Sequence, residues 1–283
     1  YRSTETHGKN LMRIRRASRA FATATAITVS MVTGCVSGVH QAGSPTSPAM
    51  PAGWPSTLND FTMVWTAEPG IDITAWPAVA VRAYFESYVL VSITGDNKYL
   101  YPGFQQSVDP NQSIDHPTGT QFLWPKTNAP EPAWVGTDEV HISSVSTSGR
   151  DVTVVACEYT FGTAQPTRNG YEPNIGEPPP YSGIDSMRIT MTAPAKPGPQ
   201  IPQQGPARSP SVDVFNGWRS TSHQGGYFAQ SGVGDEWPNA LEDRDSCLAK
   251  APEHRDLKRG GRYPRSYFAT QPPSPGWPAP SPA

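Results

Sequence analysis

Hydrophobic and polar positions along this chain follow two rhythms, and each predicts an element. Phe61, Met63 and Trp65 alternate with Thr62, Val64 and Thr66, the period-two pattern of a half-buried strand. From Pro77, placed for the first turn of a helix, Ala78 to Thr94 runs without a breaker to Gly95, a natural C-terminal cap. At about 100° per residue, Val81, Phe85, Tyr88, Val89 and Ser92 share one face, and Tyr84 and Val91 widen it. Only Arg82 and Glu86 mark a charged stripe, so this helix must be largely buried.

Farther on, Glu139 to Thr147 and Asp151 to Phe161 flank Ser148-Gly149 and read as a β-hairpin. With Ser148 and Gly149 as the loop, Val140 faces Cys157 and Ile142 faces Val155. Val140, Ile142, Val155, Cys157, Tyr159 and Phe161 then share one apolar face. Met187, Ile189 and Met191 alternate with Arg188, Thr190 and Thr192 in a further strand, and Val212 to Arg219 offers another. The stretches 172–183 and 194–210 are Pro-rich irregular loops.

One apolar run fits neither rhythm. Ala20 to Val32 is uncharged and follows Arg13, Arg15, Arg16 and Arg19. It is too short for a membrane-spanning helix, which needs roughly 20 residues, and reads as a cleaved signal. Val32-Thr33-Gly34-Cys35 resembles the lipobox of bacterial lipoproteins, which implies that Cys35 is the lipidated residue and that the protein is held at the extracytoplasmic face of the cell membrane. Met12 stands directly before the arginines, so residues 1–11 read as a non-native extension and 12–34 as the signal peptide. Residues 35–57, rich in Gly, Ser, Pro and Ala, read as a flexible tether, 58–249 as an α+β domain, and 250–283 as a basic and then Pro-rich tail.

Charge and cysteine content narrow the function. The net charge of the whole chain is −2, but residues 35–283 hold 16 basic and 23 acidic side chains, near −7. That argues against nucleic acid as a partner and against broad electrostatic docking to anionic lipid. With Cys35 carrying lipid, Cys157 and Cys247 remain as an even pair in an oxidising compartment, and a disulfide between them is expected, with two buried free thiols as the other reading.

The sequence lacks a Gly-x-Ser-x-Gly elbow, a phosphate-cradling loop, His-Glu-x-x-His and a dinucleotide fingerprint, so no cofactor is implied. Asp138, Glu139 and His141 read as a solvated strand start rather than a metal site. Glu242, Asp243 and Asp245 around Arg244 read as a solvated helix or turn beside the disulfide. Asn111-Gln112-Ser113 fits a glycosylation sequon. Tyr84, Tyr88, Tyr99 and Tyr101 crowd one helix and its exit, where tyrosines either line a ligand cavity or pack a helix on a sheet.

The run Val81-Arg82-Ala83-Tyr84-Phe85-Glu86, closing on Thr94-Gly95-Asp96 and followed by Tyr99-Leu100-Tyr101-Pro102, resembles the first-helix region of NTF2-like proteins over Leu58 to Arg219. The resemblance implies a cone-shaped α+β fold with one buried helix on a curved antiparallel sheet. That family holds acid/base enzymes and non-catalytic modules alike, and none of its catalytic positions is matched here. With the lipobox and the Pro-Pro-Ser-Pro-Gly-Trp-Pro ending, the chain as a whole resembles lipoproteins of mycobacteria and related actinobacteria. The expectation is a non-enzymatic envelope module that binds a protein, a lipid or a wall polymer. Its alternative is an enzyme with Glu158 or Asp96 facing a cavity that takes a small hydrophobic substrate.

Overall fold

The computed structural model describes residues 53–108, 123–127, 130–228, 237–253 and 257–280. The extension, the signal, Cys35, the tether up to residue 52 and the sequon at Asn111 lie outside the described residues. Ala49–Ala283 forms one compact unit.

Seven strands build one curled sheet, a half-barrel, with a helix packed against it. They are β1 (Phe61–Ala67), β2 (Val135–Ser148), β3 (Asp151–Tyr159), β4 (Thr163–Thr167), β5 (Gly170–Pro173), β6 (Ile184–Thr192) and β7 (Arg219–Gly225). The helices are α1 (Ala78–Thr94), the single turn α2 (Phe104–Ser107) and α3 (Ala240–Lys250). The hydrogen-bonded order runs β5-β4-β2-β3-β6-β7, and β1 lies along the other edge of β2. Neighbours are antiparallel except β1 and β2, which run parallel, so the expected antiparallel sheet has one parallel pair. The long segment between them, carrying α1, supplies the crossover that a parallel pair needs.

Gly136 is what lets β2 start between β1 and β4. Its φ is +99°, and a Cβ there would stand 2.2 Å from the Gly162 carbonyl oxygen, so no other residue fits.

The hairpin departs from its expected register. Gly149, at φ +63°, takes the first loop position, so the loop is Gly149-Arg150 and Ser148 pairs with Asp151. That loop moves the pairing by two residues, and a bulge between Ile142 and Ser144 takes back one of them, leaving a net slip of one. Val140 therefore faces Glu158, Ile142 faces Ala156, and the expected apolar face divides. Val140 and Ile142 join Val152, Val154 and Ala156 against α1, while Cys157, Tyr159 and Phe161 point into a second core on the opposite side. The later strand also starts farther on, at Arg219 rather than Val212, because 212–218 turns through Asn216 and Gly217, both at positive φ.

Helix α1 spans the expected residues, with Pro77 before it and Gly95 as a left-handed C-cap whose N–H reaches the Val91 carbonyl. Every residue from Ala78 to Ile93 is buried, including Arg82 and Glu86. What covers the charged stripe is the Pro-rich C-terminal stretch, which packs as part of the domain rather than trailing from it. Phe268 sits in the second core and Trp277 in the first, both almost fully buried, so the segment between them wraps around the β1 edge. There the Ser274 carbonyl accepts the Trp65 N–H at 2.7 Å, Thr62 Oγ1 donates to the Gln271 carbonyl, and Trp277 and Ala207 exchange both backbone hydrogen bonds. Prolines suit this position because an extended strap over an edge strand leaves many of its own N–H groups unused.

Cys157 on β3 and Cys247 on α3 form a disulfide across 90 residues of chain and fix α3 to the outer face of the sheet. Tyr159 Oη strengthens this junction by donating to the Cys247 carbonyl at 3.0 Å. Among the described residues, no helix is long and apolar enough to cross a membrane.

Candidate functional site

Strand alternation carries acids into the interior. Val140 faces Glu158 and Glu158 faces Asp185, while Asp138 precedes Val140 by two positions and lies opposite Met63. Asp138, Glu158 and Asp185 thus form a row across β2, β3 and β6 on the face that meets α1. Asp138 and Glu158 are fully buried. Glu158 Oε2 accepts the Tyr227 N–H at 2.6 Å, whereas among the described residues Glu158 Oε1 and both Asp138 carboxylate oxygens have no hydrogen-bond partner.

Burial drives the pKa values of this row. It pushes Asp138 well above the carboxylate range, with the charges of Glu139 and Asp185 adding to the effect. Glu158 is raised well above its ordinary value, first by burial and then by Asp138 and Asp185, against the Tyr227 hydrogen bond. Asp185 is pushed up to about 6 by burial, opposed by Arg244. Two carboxyls deep in apolar surroundings are thereby favoured as neutral acids, able to donate a proton or a hydrogen bond. Close by are Phe85 and Met187, and beyond Tyr227 the rings of Trp134 and Phe228 stack with centroids 5.2 Å apart.

A second polar centre sits on the strap side of α1. Arg82 donates to the carbonyls of Ile73, Gln203 and Gly276 and lies 4.3 Å from the Trp277 ring centroid. Glu86 accepts from Trp277 Nε1 at 2.6 Å and Tyr101 Oη at 2.9 Å, with Arg82 Nε 3.9 Å away. Burial raises Glu86, while Arg82 and the two hydrogen bonds pull it back. A shallow cleft lined by Trp54, Met63, Glu86, Arg208, Pro273, Gly276 and Trp277 opens beside it.

The expected lining residues separate. Tyr84 and Tyr88 surround His223 of β7, with ring centroids 5.5 and 4.8 Å from it. Tyr84 Oη donates to the Leu123 carbonyl and meets His223 Nδ1 at 3.1 Å. Tyr101 belongs to the Glu86 centre. Asp96 is no interior acid: its side chain is 42% exposed and pairs with Lys98 at 2.6 Å, because Gly95 has already turned the chain outward. Lys98 also lies over the ring of half-buried Tyr99. Only Glu158, of the two acids singled out, reaches the core.

Asp138 was missed as an interior acid because Glu139 and His141 beside it look solvated, although its even-number spacing from Val140 and Ile142 was the available signal. His141 turns to the other face, near Glu68 and Thr66. Among the described residues no group of three metal-capable side chains is placed to hold an ion.

Fold and interior together define an α+β protein with a curled, mainly antiparallel sheet, a fully enclosed helix and two fully buried carboxyl side chains, Asp138 and Glu158. No family model, curated protein or solved structure matches this chain.

Proposed function

We propose that this chain is a lipid-anchored protein of the extracytoplasmic membrane face, held through Cys35, whose NTF2-like α+β domain is a non-enzymatic binding module for an envelope partner. The observation that carries this reading is the buried disulfide between Cys157 and Cys247, a cross-link suited to an oxidising compartment. It agrees with the lipobox at Cys35. The way α1, the strap and the aromatic side chains fill the interior of the sheet favours a scaffold that presents its surface.

The test is the intact mass of the protein extracted from mycobacterial membranes, with and without reduction, beside Cys35→Ala. The expected species begins at Cys35, carries acyl mass and gains two hydrogens on reduction. An unacylated, reduced, full-length chain overturns the reading.

A second reading, acid/base chemistry on a small hydrophobic substrate, is favoured by one specific observation, the pair of buried acids Asp138 and Glu158. It expects a small apolar molecule to copurify with the protein in native mass spectra and to be lost in Glu158→Gln. Spectra free of such a molecule in both proteins count against it.

A further inference from the structure

The residues around the entry of the tether carry a charge opposite to that of the rest of the chain. The described chain begins at Gly53, and its first segment is clasped by two arginines. Arg208 donates to the Asn59 carbonyl at 2.6 Å with its guanidinium 5.7 Å from the Trp54 ring, and Arg265 reaches the Asp60 carbonyl at 3.5 Å. The Asp60 carbonyl also accepts the N–H of Gly136, which places this entry at the start of β2, where β4 joins the sheet. Beside it, Tyr171 of β5 and Tyr263 exchange backbone hydrogen bonds, Arg265 lies over the Tyr171 ring, and Tyr267 packs on Tyr263 while remaining 40% exposed.

Arg168 stands in the β4–β5 turn beside Gly170, which Arg262 and Tyr263 approach, and Lys258 and Arg259 lie in that same segment after α3, where the Lys258 N–H donates to Tyr263 Oη; all four cations are exposed. Arg262 is paired with Glu172, and among the described residues Arg168, Lys258 and Arg259 take part in no ion pair. With Arg265, five cations stand among the described residues against Glu131, Glu172 and Asp60, in a protein whose residues after the signal are acidic overall.

We propose that this end of the domain rests on anionic phospholipid headgroups of the same membrane that the acyl chains on Cys35 enter; the proposal builds on the lipid-anchor reading. Two observations select this occupant. Only about twenty residues separate Cys35 from Trp54, so even at full extension, about 70 Å, they keep the domain near the bilayer, with this entry as its point of attachment. The surface beside that attachment carries cations with flanking tyrosines, the combination that suits a headgroup layer. A basic patch then acts as a second membrane signal beside the acyl chains.

The test uses the chain from residue 36 onward, which lacks the lipid and keeps the compact unit Ala49–Ala283 whole. Its flotation is measured with vesicles of phosphatidylglycerol and phosphatidylcholine in equal parts, and with phosphatidylcholine alone. Binding is expected only to the anionic vesicles, and is expected to weaken at least tenfold between 0.1 and 0.5 M salt. Arg168→Gln, Lys258→Gln and Arg259→Gln should each reduce it about fivefold, and together about a hundredfold. Lys196→Gln with Arg219→Gln, exposed cations near the far end of the sheet, should leave it unchanged. Equal binding to neutral vesicles, equal loss in both sets of variants, or binding to anionic wall polymer without binding to vesicles overturns the proposal. Acylation of Cys35, read by mass on the intact protein, stands or falls independently of this result.

Discussion

Asp138 and Glu158 invert the usual pH behaviour of a folded protein. Their folded pKa values lie above those of the unfolded chain, about 4, so the native state keeps protons that the unfolded state releases. Stability is then fullest below about pH 4 for these groups and declines as pH rises toward the folded values. Asp185 contributes its share of the decline between about pH 4 and 6. Glu68 and Asp96, lowered by their basic partners, act in the opposite sense, but only in more acidic solution. Melting temperatures should therefore fall from pH 5 to pH 8. Asp138→Asn, which removes a buried group's ionisation, should flatten that slope and raise the pH 8 value by several degrees. Stability that climbs steadily above pH 6 would contradict the assignment.

At the scale of elements, the helix and the strap form one device. Besides Ile73, Gln203 and Tyr101, it is residues 274–277 that partner the buried Arg82 and Glu86, supplying a carbonyl, an indole N–H and an aromatic face. Arg82→Ala leaves Glu86 without its cation and should cost about 3–5 kcal/mol. Trp277→Ala should cost about 3–5 kcal/mol through lost packing and the lost Glu86 contact. In urea unfolding, the double variant should cost at least about 1 kcal/mol less than the sum of the two single variants. Strict additivity would mean that the strap and helix do not cooperate.

The elements also show how far the sequence could be read. The bounds of α1 were legible because Pro77 and Gly95 are local signals, and β1 and β6 because their alternation is undisturbed. The hairpin register was not, since it depends on which loop position Gly149 takes and on a bulge near Ser143 that no residue type announces. Glu158 was legible as an acid worth inspecting, and Asp138 was within reach through its even spacing from Val140 and Ile142, yet that the two stand in one row with Asp185 emerges only once the true register aligns the strands. The strap was read as a tail because a Pro-rich segment has no apolar period. Its fate rests on Phe268 and Trp277, two large side chains in a stretch whose composition looks unfolded.

For the molecule as a whole, the disulfide joins the sheet to a helix that is otherwise largely exposed and polar. In the chain-entropy model, closing a loop of about 90 residues is worth roughly 4–5 kcal/mol. Cys157→Ser with Cys247→Ser should lower the urea midpoint accordingly, and amide exchange should quicken first in α3 while α1 stays protected. Uniform loss of protection would instead make α3 an integral part of one cooperative unit.

Enclosure of α1 on all sides has a consequence for how the chain can vary through descent. A surface helix tolerates change on its wet face and conserves the other, leaving a period of 3.6 in its record of substitutions. This helix has no wet face: every position but Thr94 is buried. In a library of single lysine replacements selected for folded protein, α1 should appear as an unbroken intolerant block without that period, and tolerance should return only at Thr94. Lineages of this protein would then diverge around the helix rather than along it.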